Sequence, residues 1–138
     1  LLDTGIASDY INRRHGVYEQ ARTEVVRGNV IGIGTPVLAE LAGGIERSAT
    51  RDRNMKSLKA ALASLKLWPL DQYAAFEYGV IYAELLRMGR PIGVADMMIA
   101  AIGRLLPNCT VVSTNNDLAV VPGLTVENWR KEQGSALT

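Results

Sequence analysis

The sequence predicts an α/β fold, a three-layer α/β/α sandwich with a central, mostly parallel sheet. Three observations predict it. Short β-branched runs alternate with helix-period runs along the chain, Gly, Pro or Asn punctuate most junctions, and neither an internal repeat nor a linker breaks the series. Strands separated by helices in this way pair in parallel through right-handed crossovers. With 138 residues the chain has the size of one domain, 1–138, and can bury a real core.

Each element has its own warrant. Leu1 to Asp3 reads as the end of a buried strand, and Ile6 to Arg14 as a short helix that breaks at His15-Gly16. Val17, Ala21, Val25 and Val26 recur at helical spacing, with Gly28-Asn29 as the stop. Val30 to Ile33 is a short strand. Thr35-Pro36 has the form of an N-cap with proline at the first helical position, so a helix begins there, carries Glu40 in its early turns and runs out at Gly43-Gly44. From Arg51 to Leu65, Met55, Leu58, Leu62 and Leu65 lie three or four apart among Arg51, Arg53, Lys56 and Lys59, which makes a basic amphipathic helix. Leu67 to Leu70 is a strand. Asp71 caps a long helix over Tyr73 to Met88, ended by Gly89-Arg90-Pro91, and Val94 to Leu106 is the next helix. Cys109 to Ser113 and, after the Pro122-Gly123 turn, Leu124 to Trp129 are the last strands.

Composition narrows the function classes. Hydrophobic residues at 48% and charged residues at 21% exclude a disordered chain. A net charge of +1 means that attraction to a polyanion depends on clustering of the 15 Lys and Arg. Cys109 is the sole cysteine, which rules out an internal disulfide and a cysteine zinc cage and points to a reducing compartment, the cytoplasm. Apolar runs fall short of the roughly 20 residues of a membrane span, and no basic signal region opens the chain, so no membrane association is expected. The sequence begins on Leu-Leu without methionine, so a few further residues are expected to lengthen the first strand.

The stretch GVADMMIAA, Gly93 to Ala101, sets Asp96 at the head of an apolar run. A capping role explains one such aspartate. It does not explain Asp3 in LLDTG, Glu40 in PVLAEL and Asp117 in NNDLAVV, which also sit against apolar residues. In a parallel sheet, ligands bind outside the carboxyl ends of the strands. Asp3 ends the first strand, Glu40 opens the helix after the second, Asn116 and Asp117 follow the strand of Cys109 to Ser113, and Asp96 can point to that edge. Carboxylates crowded there must take up protons or share a cation. Oxygen ligands without Cys or paired His select Mg²⁺ or Mn²⁺, and a metal-activated water is a nucleophile suited to phosphodiester hydrolysis.

LLDT, AEL on a later helix, GRPIGVADMMIAA, VSTNN and VPGLTVENW, in this order and spacing, together resemble the PIN-domain ribonucleases, specifically VapC-like toxins of toxin–antitoxin pairs. The resemblance covers essentially the whole chain. It implies a metal-dependent endoribonuclease that hydrolyses structured RNA such as tRNA or rRNA, is neutralised by a small cognate antitoxin and forms a homodimer. Carried over by position, Asp3, Glu40 and Asp96 match the family's first three acidic positions. Asp3 and Asp96 would hold the metal directly, with Glu40 and Asp117 acting through water. The fourth position falls near Asn116, whereas charge chemistry favours Asp117, with Asn116 holding the turn. Thr4, Ser113 and Thr114 would supply supporting hydroxyls. Gly5 departs from the pattern, since many relatives carry asparagine there.

Blander readings apply elsewhere. His15 is a loop residue, Cys109 a small buried residue, and Trp68 and Trp129 core or interface residues. Arg47 to Lys66 is a solvated face unless it meets RNA phosphates. A receiver-like module is the alternative, but no lysine lies between Lys66 and Lys131 to meet a phosphoryl group. A haloacid-dehalogenase phosphatase would need Asp-x-Asp where the chain has Asp3-Thr4-Gly5. A degenerate PIN domain that only binds RNA or protein would not need three matched acids.

Overall fold

The computed structural model describes residues 1–131, so the last seven residues of the single domain expected over 1–138 lie outside the described residues. In chain order the elements are α1 (Thr4–Asn12), α2 (Val17–Val26), β1 (Gly32–Gly34), α3 (Thr35–Glu46), α4 (Arg51–Leu62), β2 (Lys66–Trp68), α5 (Gln72–Arg87), α6 (Val94–Leu105), β3 (Thr110–Val112), a 3₁₀ turn (Leu118–Val120) and β4 (Thr125–Glu127). The architecture is the expected α/β one with a parallel sheet.

Backbone pairing fixes the strand order. β1 pairs with β2 in the register Gly32↔Lys66, and β3 with β4 in the register Thr110↔Thr125, both in parallel. The N-terminal segment joins the two halves: Leu2 N–H donates to Gly32 O at 2.9 Å, and Asp3 N–H donates to Val112 O at 3.0 Å. The order across the sheet is therefore β2, β1, Leu1 to Asp3, β3, β4. The first segment sits in the centre because both of its neighbours cover it: Leu2 is 0% exposed. Ile33, Val111 and Val112 continue this core, and Ile6, Ile81, Leu85 and Ile99 pack on it from the helices.

Two glycines let layers approach. A Cβ on Gly32 would lie 2.2 Å from the Lys66 carbonyl oxygen, so the β1–β2 pairing depends on its absence. A Cβ on Gly103 would meet Val111 Cγ2 at 2.7 Å, so α6 can lie close against β3. That contact fixes the helix whose first turn carries Asp96.

Several boundaries differ from the sequence reading. α3 continues through Gly43-Gly44 to Glu46, with Leu38 and Leu41 packed against the core and Ile45 lining a groove beyond the glycine pair. The glycine cost of about 1 kcal/mol per residue does not stop a helix already anchored by that packing. Gly34, rather than Thr35, is the N-cap of α3, and Thr35 Oγ1 instead accepts the Leu70 N–H at 3.0 Å. α4 ends at Leu62, and β2 begins one residue early, at Lys66, where its N–H reaches Ile31 O at 3.0 Å. Asp71 caps α5 as expected, accepting from Ala74 N–H at 2.9 Å. Among the described residues no helix is long and apolar enough to cross a membrane.

Candidate active site

Asp3 leaves the central strand segment and enters α1 as its N-cap. One carboxylate oxygen, Oδ1, accepts the Ile6 N–H at 2.9 Å, and Oδ2 accepts a short hydrogen bond from Ser113 Oγ. An aspartate serves well there because its oxygen satisfies a backbone donor that the first helical turn leaves free. Ser113 follows β3 and is buried, and its Oγ also accepts the Asn115 N–H at 2.8 Å. Strand end, helix start and the loop after β3 thus meet on one carboxylate.

Asp96 is different. It lies in the first turn of α6, but the cap residue is Gly93, and no side chain caps that helix. The capping explanation for Asp96 is therefore not the one the structure uses. Its Oδ2 accepts a hydrogen bond from Asn115 Nδ2 at 2.9 Å. Burial pushes the Asp96 carboxyl above the ordinary aspartate range, and the negative charges of Asp3, Glu40 and Asp117 push it further, against an opposing pull from the Asn115 amide. Asp3, Glu40 and Asp117 are therefore all close enough to act on Asp96 by charge.

Glu40 is exposed on α3, and its Oε1 accepts from Thr4 Oγ1 at 2.5 Å. Thr4 thereby ties α1 to α3 across the site. Asp117 and Asn116 are both exposed, and neither side chain makes a hydrogen bond among the described residues. Asn115, which the sequence reading passed over, does what was expected of Asn116. Its Oδ1 accepts the Asp117 N–H at 2.9 Å while its amide N–H holds Asp96. An Asn whose side chain accepts the N–H two residues on is a common turn device, so the spacing Asn115 to Asp117 was the available signal. Thr114 is exposed beside it, without a side-chain hydrogen bond among the described residues.

Arg130 is the second residue missed. Its Nε donates to Asp9 Oδ2 at 2.6 Å, and Asp9 is 3% exposed on α1. The signal was Asp9 itself, a carboxylate on the buried face of a helix, which needs a cation.

The donor set fits a hard divalent cation. It is all oxygen, and the charges of Asp3, Glu40 and Asp117, which add to burial in raising the Asp96 carboxyl, are a repulsion that a cation relieves. Asp96 Oδ1, Glu40 Oε2 and the Asp117 carboxylate accept no hydrogen bond among the described residues. As placed, no three His, Cys, Asp or Glu side chains among the described residues form a group that could hold a metal ion. Asp3, Asp96 and Glu40 each keep an oxygen on a hydrogen-bond partner, Ser113, Asn115 and Thr4 in turn. A groove of about 530 Å³ leads away from Thr4, Gly5 and Glu40 toward Ser48, Arg53 and Asn54. A cavity of about 570 Å³, lined by Asn29, Trp68, Cys109 and Trp129, includes none of the four acids.

Known proteins share the fold and much of the sequence. A family model described as PIN domain matches residues 1–124. The chain is 32% identical over 132 residues to Ribonuclease VapC2 of Rickettsia felis, covering 95% of this chain and 98% of the relative. It is 36% identical over 99 residues to a tRNA(fMet)-specific endonuclease VapC of Salmonella typhimurium, covering 70% and 74% of the two chains. Among solved structures, VapBC2 from Rickettsia felis bound to a promoter DNA fragment superimposes with a TM-score of 0.84 at 31% identity, covering 93% of this chain and 96% of that one.

Proposed function

Since the chain belongs to the PIN-domain family, we propose that it is a VapC-like endoribonuclease toxin that hydrolyses phosphodiester bonds of structured RNA such as tRNA, is neutralised by a small cognate antitoxin and works as a homodimer. The observation that carries this reading is geometric: Ser113 and Asn115 link the Asp3 and Asp96 carboxylates by hydrogen bonds, and Thr4, next to Asp3 in the chain, holds Glu40. Burial, and after it the charges of Asp3, Glu40 and Asp117, raise the half-buried Asp96 carboxyl, which suits a cation-binding hydrolase.

Asp3 and Asp96 are the groups we assign to hold Mg²⁺ or Mn²⁺, with Glu40 and Asp117 at greater distance. A divalent cation bound there supplies charge compensation at the phosphodiester and Lewis-acid activation of water. The rest is done by the chain. Ser113 and the Ile6 N–H keep the Asp3 carboxylate in one orientation, and Asn115 does the same for Asp96. Glu40, exposed and held on one side only by Thr4, is free on its Oε2 to take a proton from water. Ordered carboxylates of this kind lower the reorganisation needed at the moment of reaction.

The test is to sequence the 5′ ends of cellular RNAs after brief expression of the protein, beside an Asp3→Asn/Asp96→Asn control. New 5′ ends that appear with the wild type and not with the control support the reading, and their absence rejects it. In vitro, each single substitution should slow cleavage about a hundredfold or more. Full cleavage in excess EDTA would end the metal assignment.

A further inference from the structure

The acidic site faces an electrostatic difficulty of its own, because RNA is a polyanion and four carboxylates repel it. Besides the divalent cation, a fixed positive group close to Asp3 helps to seat a phosphate, and the structure offers one. A Cβ built on Gly5 would lie 3.9 Å from Asp3 Oδ1 and 4.0 Å from Arg130 Nη2. With no side chain at Gly5, the surface there is bordered by both the carboxylate and the guanidinium.

Arg130 is held for such a role. Its Nε is fixed by Asp9, whose buried carboxylate takes no other side-chain partner among the described residues. Its backbone N–H donates to Asn128 Oδ1 at 2.9 Å, and the following Lys131 N–H donates to His15 O at 3.0 Å. The segment is thereby tied over α1. Nη1 and Nη2 donate to no described residue. A guanidinium anchored through Nε keeps its two terminal amino groups as a planar fork, the geometry that matches two phosphate oxygens. Resting on the ribonuclease reading above, we propose that Arg130 binds a backbone phosphate of the RNA at the surface over Gly5, and that Asp9 is the positioning residue that aims it.

The test compares Arg130→Gln, Arg130→Lys and the double variant Asp9→Asn/Arg130→Gln, with Arg27→Gln as a control on an exposed cation. A fluorescein-labelled tRNA transcript serves as probe. Its binding is followed by anisotropy across a range of KCl, its cleavage gives kcat and KM, and thermal melting reports the fold. Arg130→Gln should raise Kd and KM about tenfold and lower the salt slope of binding by about one. Arg130→Lys should keep the slope, as its charge remains, while recovering only part of the affinity. The single Arg130→Gln change also strands the buried Asp9 charge and should lower the melting temperature. The double variant removes that charge, so it should melt near the wild type and still bind weakly. If it recovers affinity along with stability, Arg130 is a structural ion-pair partner and the proposal is overturned. The same follows if Arg130→Gln matches Arg27→Gln in Kd and slope. Should the wild type bind the transcript but cleave no RNA, the ribonuclease reading fails by itself, and the slope still decides the role of Arg130. A wild type that does not bind the transcript overturns the phosphate assignment.

Discussion

Asn115 holds Asp96 through its side-chain N–H at 2.9 Å and, with the amide oxygen of the same side chain, accepts the Asp117 N–H at 2.9 Å. Its own backbone N–H rests on Ser113 Oγ, which donates to Asp3. A continuous chain of hydrogen bonds therefore runs from Asp3 through Ser113 and Asn115 to Asp96. The first strand, the loop after β3 and the start of α6 are registered to one another by side chains rather than by sheet pairing alone.

Breaking that chain should be costly to catalysis. Asn115→Ala removes the one hydrogen bond that favours the charged form of Asp96 and leaves the Asp117 N–H without its acceptor. Groups that orient a metal ligand typically contribute ten- to a hundredfold, so cleavage should fall by about that factor. Asn115→Asp retains the acceptor for the turn but adds a fifth negative charge, and should be at least as slow. Rates within twofold of wild type for both variants would remove Asn115 from the site.

Stability should respond to pH through Asp96. Its carboxyl is raised in the folded state, so the fold binds this proton more tightly than the unfolded chain does. Between the ordinary aspartate value and the raised one, the folded state carries more protons, and stability falls as pH rises through that window. Above the window the penalty is complete. Asp96→Asn removes it, so at neutral pH the variant should melt at or above the wild-type temperature, with the difference closing as pH is lowered toward the ordinary aspartate range. Mg²⁺ should raise the wild-type melting temperature and leave Asp96→Asn nearly unmoved. A variant that melts lower than the wild type at neutral pH, and equally at acid pH, contradicts this assignment.

The readable part of the molecule was the part decided by nearest neighbours in sequence. Asp3 stands where a strand ends, Asp96 in the first turn of a helix and Glu40 in the second turn of one, and the order of strands and helices carries them to one edge. Val30 to Ile33 reads as a strand from its β-branched residues, although the paired residues are Gly32 to Gly34. What escaped depends on distant partners. The two-residue spacing to Asp117 is the only local mark of Asn115 over Asn116; which of them meets Asp96 is set by where α6 lies, and α6 is placed by the close approach of Gly103 to Val111. Arg130 escaped because its partner, Asp9, is 121 residues away in the chain. The Gly43-Gly44 pair reads as a helix end from local propensity, whereas α3, packed on the core through Leu38 and Leu41, runs on to Glu46.

The exposed side of α5 bears on assembly. Tyr73, Phe76 and Val80 are 76%, 71% and 49% exposed and lie three and four residues apart, hence on one helical face. An apolar stripe of this kind is unusual on a monomer and suits an interface between two copies. Light scattering at micromolar concentration should return twice the chain mass for the wild type and a monomer for Phe76→Glu/Val80→Glu. Because both residues are exposed, the melting temperature of the separated chain should change little. A monomeric wild type would withdraw the homodimer.

The last prediction concerns the fourth acidic position, between Asn116 and Asp117. Both are exposed, but only Asp117 acts on Asp96 by its charge. An amide at Asn116 adds no charge against a divalent ion, and its side chain makes no hydrogen bond among the described residues. Asp117 begins the 3₁₀ turn Leu118–Val120, and Leu118 is fully buried beneath it, so the carboxylate rides on a turn anchored in the core. Its backbone N–H is fixed by Asn115, which limits how far the side chain can swing from the site. With no three acids grouped to hold a metal among the described residues, we assign the exposed Asp117 carboxylate to act through water rather than by direct ligation. Asp117→Asn should therefore slow cleavage by about tenfold, less than Asp3→Asn does, and should raise the Mg²⁺ concentration needed for half-maximal rate. Asn116→Ala should change neither quantity by more than about twofold. If Asn116→Ala is as inactive as Asp3→Asn while Asp117→Asn cleaves normally, the fourth position belongs to Asn116, and three carboxylates are the whole acidic set.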